Sequence, residues 1–351
     1  MIPFFIDPRR RRLIAGTLLA AFVFVVGSLA IAKALRYANA PTPVAVTATP
    51  ITSFDNRDPD KTRFGALEFI GGLALTSDYQ PFGGISAIHM EPDGARFIAV
   101  TDKGSWLRGR IVYKDGRPDG IADTEMAPIL GSDGKPLATG KWYDTESLTE
   151  SGGYFYIGIE RVHRIVRFDL RRGGLGARAE EVAIPPDFKS FPSNKSLECL
   201  TAPPKGSPLA GHLIAVPERS LDKDGNHRAF VLPGSAGGKQ VTRFSVKRIG
   251  DFDISDCTIL PAGDLLLLER SFSFAKGVAT RIRRVPLSAI KEGALVDGPA
   301  LIEADLAFQI DNMEGIGIHR DAQGQTIITL VSDDNFSVLQ RSLLLQFRLA
   351  E

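Results

Sequence analysis

The sequence predicts an all-β fold, a β-propeller that we expect to have six blades, with an export or anchor helix at its amino terminus. The first observation is an internal repeat: a short apolar run that ends in an acid, usually followed by a base, recurs about every 50 to 60 residues. The second is the pattern between the repeats, where β-branched and aromatic runs alternate with turn signals such as Pro92-Asp93-Gly94. The third is a single amino-terminal segment, first basic and then apolar, that lies before the first repeat.

The amino-terminal segment, residues 1–40, predicts export from the cytoplasm. Four arginines, Arg9 to Arg12, precede an apolar run from Leu13 to Ala32, and an Ala38-Asn39-Ala40 site follows. This order is typical of a signal peptide, whereas the length of the run also suits a membrane anchor, so cleavage and retention both stay open. The arginine run also fits a twin-arginine signal as an alternative to the general secretory one. We therefore expect a periplasmic or other extracytoplasmic protein that meets a membrane only through this segment.

Residues 41–62 are rich in Pro, Thr and Ala and then polar, which predicts an extended linker before a domain over residues 63–351. The net charge of the chain is only +1, so its composition does not favour nucleic acid as a partner. We expect a monomer that acts on a small molecule.

Each repeat unit predicts one propeller blade. The five copies of the acid-ended motif are Ala99–Lys103, Ile157–Arg161, Ala215–Ser220, Leu267–Ser271 and, in a degraded form, Leu330–Asn335. Units of three or four antiparallel strands at this period must stack around an axis to bury both of their faces. The spare strands Phe64–Leu75 and Ser342–Leu349 could pair and form a sixth blade, although five or seven blades are also compatible with the pattern.

A second motif precedes each copy and carries an acid in four of the five units. These stretches are Asp144–Thr149, Asn194–Thr201, Ile254–Thr258 and Asp311–Ile316, while the first unit has Gly83–Ile88 without an acid. Three of these stretches and one further run resemble the phytase-like family named for an esterase-like activity of phytase: Asp144–Thr149, Asn194–Thr201, Asp311–Ile316 and Glu269-Arg270-Ser271-Phe272. The resemblance covers roughly residues 64–349, and it implies a propeller and, less directly, a phosphoesterase.

The acids of the second motif are the predicted catalytic and metal-binding residues: Glu146, Glu198, Asp256 and Glu314. If they occupy equivalent sites on inner strands, they converge on one channel mouth, where carboxylates raise one another's pKa or recruit a cation. Oxygen ligands select Ca²⁺ or Mg²⁺ among divalent cations, and we expect Ca²⁺. Glu160, Glu218, Glu269 and one of Asp333 and Asp334 would form a second ring further out.

Basic residues beside the outer acids could clamp a phosphorylated substrate: Lys103, Arg161, Arg219 and Arg270. A structural role is the alternative, because strand alternation sends neighbours such as Glu160 and Arg161 to opposite faces, where blade-to-blade ion pairs could form.

Three functions follow from this pattern. The first is a metal-dependent phosphoesterase or esterase, the second a periplasmic propeller that binds a ligand or partner without catalysis, and the third a Ca²⁺-dependent, lactonase-like hydrolase.

Cys199 and Cys257 follow inner acids in neighbouring units. A disulfide is chemically allowed outside the cytoplasm, but equivalent strands of two blades should hold the Cα atoms more than about 7 Å apart. The sequence therefore favours two buried thiols.

Overall fold

The computed structural model describes residues 40–207, 209–234 and 240–350, and nearly all of its regular structure is β-strand. The strands, in chain order, are β1 Thr42–Pro43, β2 Thr47–Ile51, β3 Arg63–Phe64, β4 Leu67–Thr76, β5 Ile85–Met90, β6 Arg96–Thr101, β7 Ser105–Lys114, β8 Arg117–Pro128, β9 Thr145–Ser151, β10 Tyr154–Ile159, β11 Arg164–Phe168, β12 Glu180–Val182, β13 Cys199–Thr201, β14 His212–Val216, β15 His227–Pro233, β16 Thr242–Val246, β17 Asp253–Ile259, β18 Asp264–Ser273, β19 Gly277–Pro286, β20 Leu295–Val296, β21 Ala300–Asp305, β22 Asn312–Arg320, β23 Thr326–Asp333 and β24 Ser342–Leu349. The helical pieces are a single α-helical turn, Leu170–Gly173, and 3₁₀ turns at Leu137–Gly140, Gly174–Gly176, Pro186–Ser190 and Leu287–Ala289.

These strands form five sheets. From the outer to the inner strand, sheet 1 has the order β1-β8-β7-β6-β5, sheet 2 β12-β11-β10-β9 and sheet 4 β21-β19-β18-β17. Sheet 3 has the order β20-β16-β15-β14-β13, and sheet 5 the order β2-β4-β24-β23-β22 with β3 beside β4. The inner strands β5, β9, β13, β17 and β22 contact one another in a closed cycle, so the sheets are the blades of a propeller.

The number of blades is five, and the prediction of six was wrong. The two spare strands do pair, since Leu344 of β24 lies opposite Leu73 of β4. However, β24 also pairs with β23, as Leu330 lies opposite Leu345. The spare strands therefore complete the outer half of the fifth unit, which otherwise has only β22 and β23, and no separate inner strand exists in the described residues to start a sixth blade.

The predicted linker, residues 41–62, also contributes to the sheets. Thr42 of β1 lies opposite Met126 of β8, and Ala48 of β2 lies opposite Leu75 of β4. The segment is extended, as its composition indicates, but its backbone adds edge strands to the two neighbouring sheets 1 and 5.

The core consists of five apolar clusters, each between two neighbouring sheets. Trp106 and Phe168 join sheets 1 and 2, with ring centroids 5.2 Å apart. Three of the other clusters contain Phe230 between sheets 2 and 3, Leu267 between sheets 3 and 4, and Leu268 between sheets 4 and 5. Because neighbouring leucines on β18 face different clusters, this strand is buried on both faces, and each such leucine stabilises the fold by about 2 kcal/mol.

The predicted export or anchor segment, residues 1–40, lies outside the described residues except for Ala40. Among the residues that are described, no helix combines the length and apolarity needed to cross a membrane.

Candidate functional site

Three inner strands carry a β-bulge at the position of the second motif. The residue left out of the strand pairing is Ser86 in sheet 1, Glu146 in sheet 2 and Glu314 in sheet 5. A bulge turns its extra residue out of the regular alternation, so it can direct a side chain toward the propeller axis. Glu198 reaches the same place from the residue directly before β13.

Sheet 4 differs by one residue. Its bulge falls at Ser255, so that Asp256 stays in the strand pairing, opposite Leu268. The Asp256 carboxylate accepts hydrogen bonds from the backbone N–H groups of Cys257 at 2.7 Å and Ile316 at 2.8 Å. Both of its oxygens are thus engaged with the backbone, and burial raises its pKa well above the usual value.

The same shift moves the outer acid of this sheet. Glu269 lies opposite Ile254 in the strand pairing and is fully buried, with Arg281 Nε 2.7 Å and Arg283 Nε 2.8 Å from its Oε2. Arg270, the next residue, reaches the acids at the propeller axis instead. Sheet 4 therefore contributes a cation where sheets 2 and 3 contribute Glu160 and Glu218.

Seven carboxylates interact with this arginine or with one another, and we call them the acidic cluster: Asp102, Glu146, Glu160, Glu198, Glu218, Glu314 and Asp333. All but Asp102 are buried. Burial, reinforced by the neighbouring carboxylates, raises the pKa of Glu146 and Glu198 well above the usual range. The same causes raise the pKa of Glu160 to about 7 and that of Asp333 to about 8.

Arg270 is the cation at the centre of the cluster. Its guanidinium lies 2.7 Å from Glu314 Oε1, 3.7 Å from Glu218 Oε1 and 3.8 Å from Glu198 Oε1, and it donates a hydrogen bond to Asn312 Oδ1. Burial would lower the pKa of Arg270, but the surrounding carboxylates, Glu314 first, raise it above its ordinary value. One guanidinium cannot balance seven carboxylates, so the cluster must hold protons or bind further cations.

Three members of the cluster fit a metal ion. One carboxylate oxygen from each of Glu160, Glu198 and Glu218 lies within 4.8 Å of the other two. Two ligands that each lie about 2.4 Å from a common Ca²⁺ can be at most about 4.8 Å apart, so the spacing suits that ion. In addition, Glu198 Oε2 is buried without a hydrogen-bond partner. An oxygen-only donor set with an unpartnered buried oxygen fits a hard divalent cation.

The predicted substrate-binding bases separate into two groups. Lys103 pairs with Asp102 at 2.9 Å, Arg161 with Asp144 at 3.0 Å, and Arg219 with Asp253, and their side chains are 63%, 43% and 43% exposed. Arg270 alone among the four reaches the centre of the cluster. Among the cations that sequence reasoning missed, Lys195 lies 3.0 Å from Glu218 Oε1.

The predicted inner acids also separate. Glu146, Glu198 and Glu314 enter the cluster, whereas Asp256 binds backbone amides. The triad that fits a metal ion combines Glu198 with two outer acids, Glu160 and Glu218, which the sequence reading ranked below the inner set. The sequence pattern could have identified Glu160 and Glu218, since each follows the second strand of its unit and precedes an arginine.

A cleft of about 1100 Å³ opens beside the cluster between sheets 3, 4 and 5. Glu218 of the cluster and Arg270 at its centre both line the cleft. Lys195, Arg219 and Asn312 also line it. The cleft therefore leads from the surface to the carboxylates.

The similarities to solved structures are distant. The glutaminyl cyclase of Myxococcus xanthus is 9% identical with a TM-score of 0.40, covering 77% of this chain and 92% of that one. The Dos1 propeller is 10% identical with a TM-score of 0.37, covering 83% of this chain and 77% of that one. No curated protein matches the chain.

A family match covers most of the propeller. The family described as "Phytase-like: Esterase-like activity of phytase" matches residues 80–336, which include every residue of the acidic cluster. The resemblance carried by the sequence motifs is thereby confirmed, and the chain belongs to this phytase-like family.

Proposed function

We propose that this protein is an exported, metal-dependent ester hydrolase that acts on phosphate esters at the acidic cluster. The observation that carries the proposal is the triad of Glu160, Glu198 and Glu218, whose oxygens lie close enough together for one cation and of which Glu218 lines an open cleft. Membership of the phytase-like family supports an esterase-like activity of this general kind.

Ca²⁺ is the proposed cation, and Glu160, Glu198 and Glu218 are the residues that would hold it. The negative charge of the cluster and its oxygen-only ligand set favour a hard divalent ion, and flexible carboxylate coordination without a fixed octahedral geometry suits Ca²⁺. A bound cation of this type polarises an ester oxygen and lowers the pKa of an attacking water.

The residues around the triad supply binding and proton transfer. Arg270 presents a guanidinium to the cleft and would bind an anionic phosphate group by charge-assisted hydrogen bonds. Asp333, with a pKa of about 8, carries a proton at neutral pH and could donate it to a leaving-group oxygen. Glu146, on β9, and Glu314, on β22, place two further carboxyl groups beside the triad.

Export is part of the proposal. The order of basic, apolar and Ala-x-Ala segments before the propeller supports it. The structure adds a further argument, because Cys199 and Cys257 form a disulfide across 58 residues, and disulfides persist in oxidising compartments. Amino-terminal sequencing of the protein from a periplasmic fraction would distinguish a cleaved signal from a retained anchor.

The decisive experiment compares Glu198→Gln with a matched surface variant, Glu181→Gln, which changes an exposed glutamate of β12. Wild-type protein should contain bound Ca²⁺ by elemental analysis and should hydrolyse p-nitrophenyl phosphate, and chelation should abolish the reaction. Glu198→Gln should lose Ca²⁺ and at least about a hundredfold in kcat/KM, since it removes one of three ligands. Equal metal content and activity in the two variants would contradict the proposed site.

A panel of substrates tests which bond is broken. Carboxyl esters and lactones assayed beside phosphate esters separate a phosphoesterase from a lactonase-like hydrolase. Bound Ca²⁺ without hydrolysis of any of the three classes would instead favour a propeller that binds a ligand without catalysis.

A further inference from the structure

The lining of the cleft beside the acidic cluster has little net charge, although the proposed substrate is an anionic phosphate ester. Five cationic side chains line it: Lys195, Arg219, Arg248, Arg270 and Lys276. Six acidic side chains line it as well: Glu218, Asp251, Asp253, Glu303, Asp305 and Asp311. The lining thus has a formal charge of −1, before the buried carboxylates behind it are considered.

Four of the five cations are already engaged with carboxylates. Lys195 pairs with Glu218 at 3.0 Å, and Arg270 with Glu314 at 2.7 Å. Arg219 and Arg248 both pair with Asp253, the latter at 3.1 Å. A ligand with many phosphate groups, each carrying about −1.5 to −2 charges at neutral pH, would meet no surplus of positive charge here.

The outer wall of the cleft is apolar and exposed. The hairpin between β18 and β19 places Phe272, 64% exposed, in the lining, and Phe274 at its tip is fully exposed. The two rings form an edge-to-face pair with centroids 5.4 Å apart. Leu306, 57% exposed, packs under the same hairpin, where a Cβ added to Gly277 would lie 2.3 Å from its Cδ1.

Phe272, Phe274 and Leu306 form an apolar rim at this hairpin, and Phe272 lines the cleft together with Arg270 and Glu218. Exposed aromatic side chains that cluster at the mouth of a cleft are typical of a ligand-binding surface. The site thus combines one central guanidinium with an apolar wall.

We propose that the cleft binds an amphiphilic ester with a single phosphate group, and that polyphosphorylated ligands bind poorly. The phosphate group binds at Arg270 beside the acidic cluster, and the apolar substituent lies on Phe272, Phe274 and Leu306. The proposal rests on the proposed function for the bond that is broken, but the binding preference follows from the charges and the rim alone.

The test measures binding rather than turnover. Calorimetric titration of the Ca²⁺-loaded full chain should show that octylphosphonate, kept below its micellar concentration, binds at least about tenfold more tightly than methylphosphonate, because its alkyl chain buries methylene groups on the rim. Inositol hexakisphosphate should bind more weakly than octylphosphonate. The double variant Phe272→Ser/Phe274→Ser should bring the two phosphonates to within about twofold of each other.

The matched control is Val338→Ser/Leu339→Ser, which removes two exposed apolar side chains from the loop between β23 and β24, outside the cleft lining. This variant should keep the tenfold preference. Equal affinity of the two phosphonates in wild type, tighter binding of inositol hexakisphosphate, or an unchanged preference in the Phe272/Phe274 variant would each overturn the proposal.

Two further outcomes separate this proposal from others. Binding to phosphatidylglycerol vesicles without binding of free octylphosphonate would overturn it in favour of contact with a membrane surface. The alkyl preference in a protein that hydrolyses no ester would contradict the proposed function while supporting the binding site.

Discussion

Sheets 2 and 4 carry the same two motifs but use them in opposite ways. In sheet 2 the bulge falls at Glu146, so Glu146 and Glu160 both enter the acidic cluster. In sheet 4 the bulge falls one residue earlier, at Ser255, and Glu269 is buried against two arginines. A single-residue shift of the bulge thus replaces an acid of the cluster by a buried structural acid and brings Arg270 to the axis.

The difference between sheets 2 and 4 shows that the same residue type at the same motif position can have different roles in different blades. Strand alternation allows only one of Glu160 and Arg161 to face the cluster, and in sheet 2 it is the glutamate. In sheet 4 it is the arginine. The asymmetry also gives the cluster a single internal cation, without which seven carboxylates would face one another.

The largest expected effect comes from removing the structural acid. Glu269→Gln should lower the free energy of unfolding by about 3 to 5 kcal/mol, because it removes the fully buried carboxylate that Arg281 and Arg283 share and leaves them only their more exposed partners Glu303 and Asp297. Denaturant unfolding of the metal-free protein measures this effect.

Glu160→Gln is the matched variant in sheet 2. It removes one of several like charges, so metal-free Glu160→Gln should be at least as stable as wild type while binding Ca²⁺ more weakly. Equal destabilisation by the two variants would show that sheets 2 and 4 do not differ in the way the geometry indicates.

The disulfide provides a second way to sharpen the comparison, since it joins the inner strands of sheets 3 and 4. Cys199→Ala/Cys257→Ala should lower the free energy of unfolding by roughly 4 kcal/mol, given the sequence separation of 58 between the cysteines. Because Cys199 follows Glu198, the variant should also weaken Ca²⁺ binding, as measured by titration. Unchanged Ca²⁺ affinity would mean that the strand pairing of β13 positions Glu198 without the disulfide.

The expectation of two free thiols was wrong for a reason that applies to the whole axis. The Cα atoms of Cys199 and Cys257 lie 5.0 Å apart, within the range for a disulfide. Neighbouring inner strands lie closer together at the axis than the sequence-based expectation for equivalent strands of two blades assumed. The number of blades could not be predicted from the sequence, because the strands that complete sheet 5 come from both ends of the domain.

The sequence predicted the fold class and the family. Of the four inner acids that it singled out, three reach the cluster. It did not predict the bulge in sheet 4, since Ser255 and Asp256 offer no local signal that fixes which residue leaves the pairing. It therefore could not separate Asp256 from the other inner acids, nor Arg270 from Arg161 and Arg219. Burial and strand register, rather than motif identity, decide those assignments.

The pH dependence of stability distinguishes the cluster acids of sheets 2 and 5 from exposed acids. The folded-state pKa values of Glu160, about 7, and Asp333, about 8, lie above those of the unfolded chain, so the folded protein binds more protons. Stability is therefore greatest at acid pH and falls as the pH rises through these values. Metal-free protein should lose on the order of 2 kcal/mol between pH 6 and pH 7.

Saturating Ca²⁺ should flatten that dependence, because the ion stabilises the ionised carboxylates. Glu160→Gln should reduce the slope, whereas Glu180→Gln, at an exposed position of β12, should leave it unchanged. A stability that rises between pH 6 and pH 7 in the metal-free protein would contradict the raised pKa values.

The smallest expected effect concerns the arginine that faces away from the cluster. Arg161 pairs with Asp144 at 3.0 Å and stacks on Tyr143, 4.5 Å from the ring centroid, and its side chain is 43% exposed. Exposed pairs of this kind contribute about 0 to 1 kcal/mol, so Arg161→Ala should change stability by no more than that and KM for a phosphate ester by less than about twofold. Arg270→Ala, its counterpart in sheet 4, should instead raise KM by at least about tenfold, because it removes the guanidinium that reaches the carboxylates. Steady-state kinetics on both variants measure the contrast, and a larger KM effect at Arg161 would reverse the assignment of the substrate-binding base.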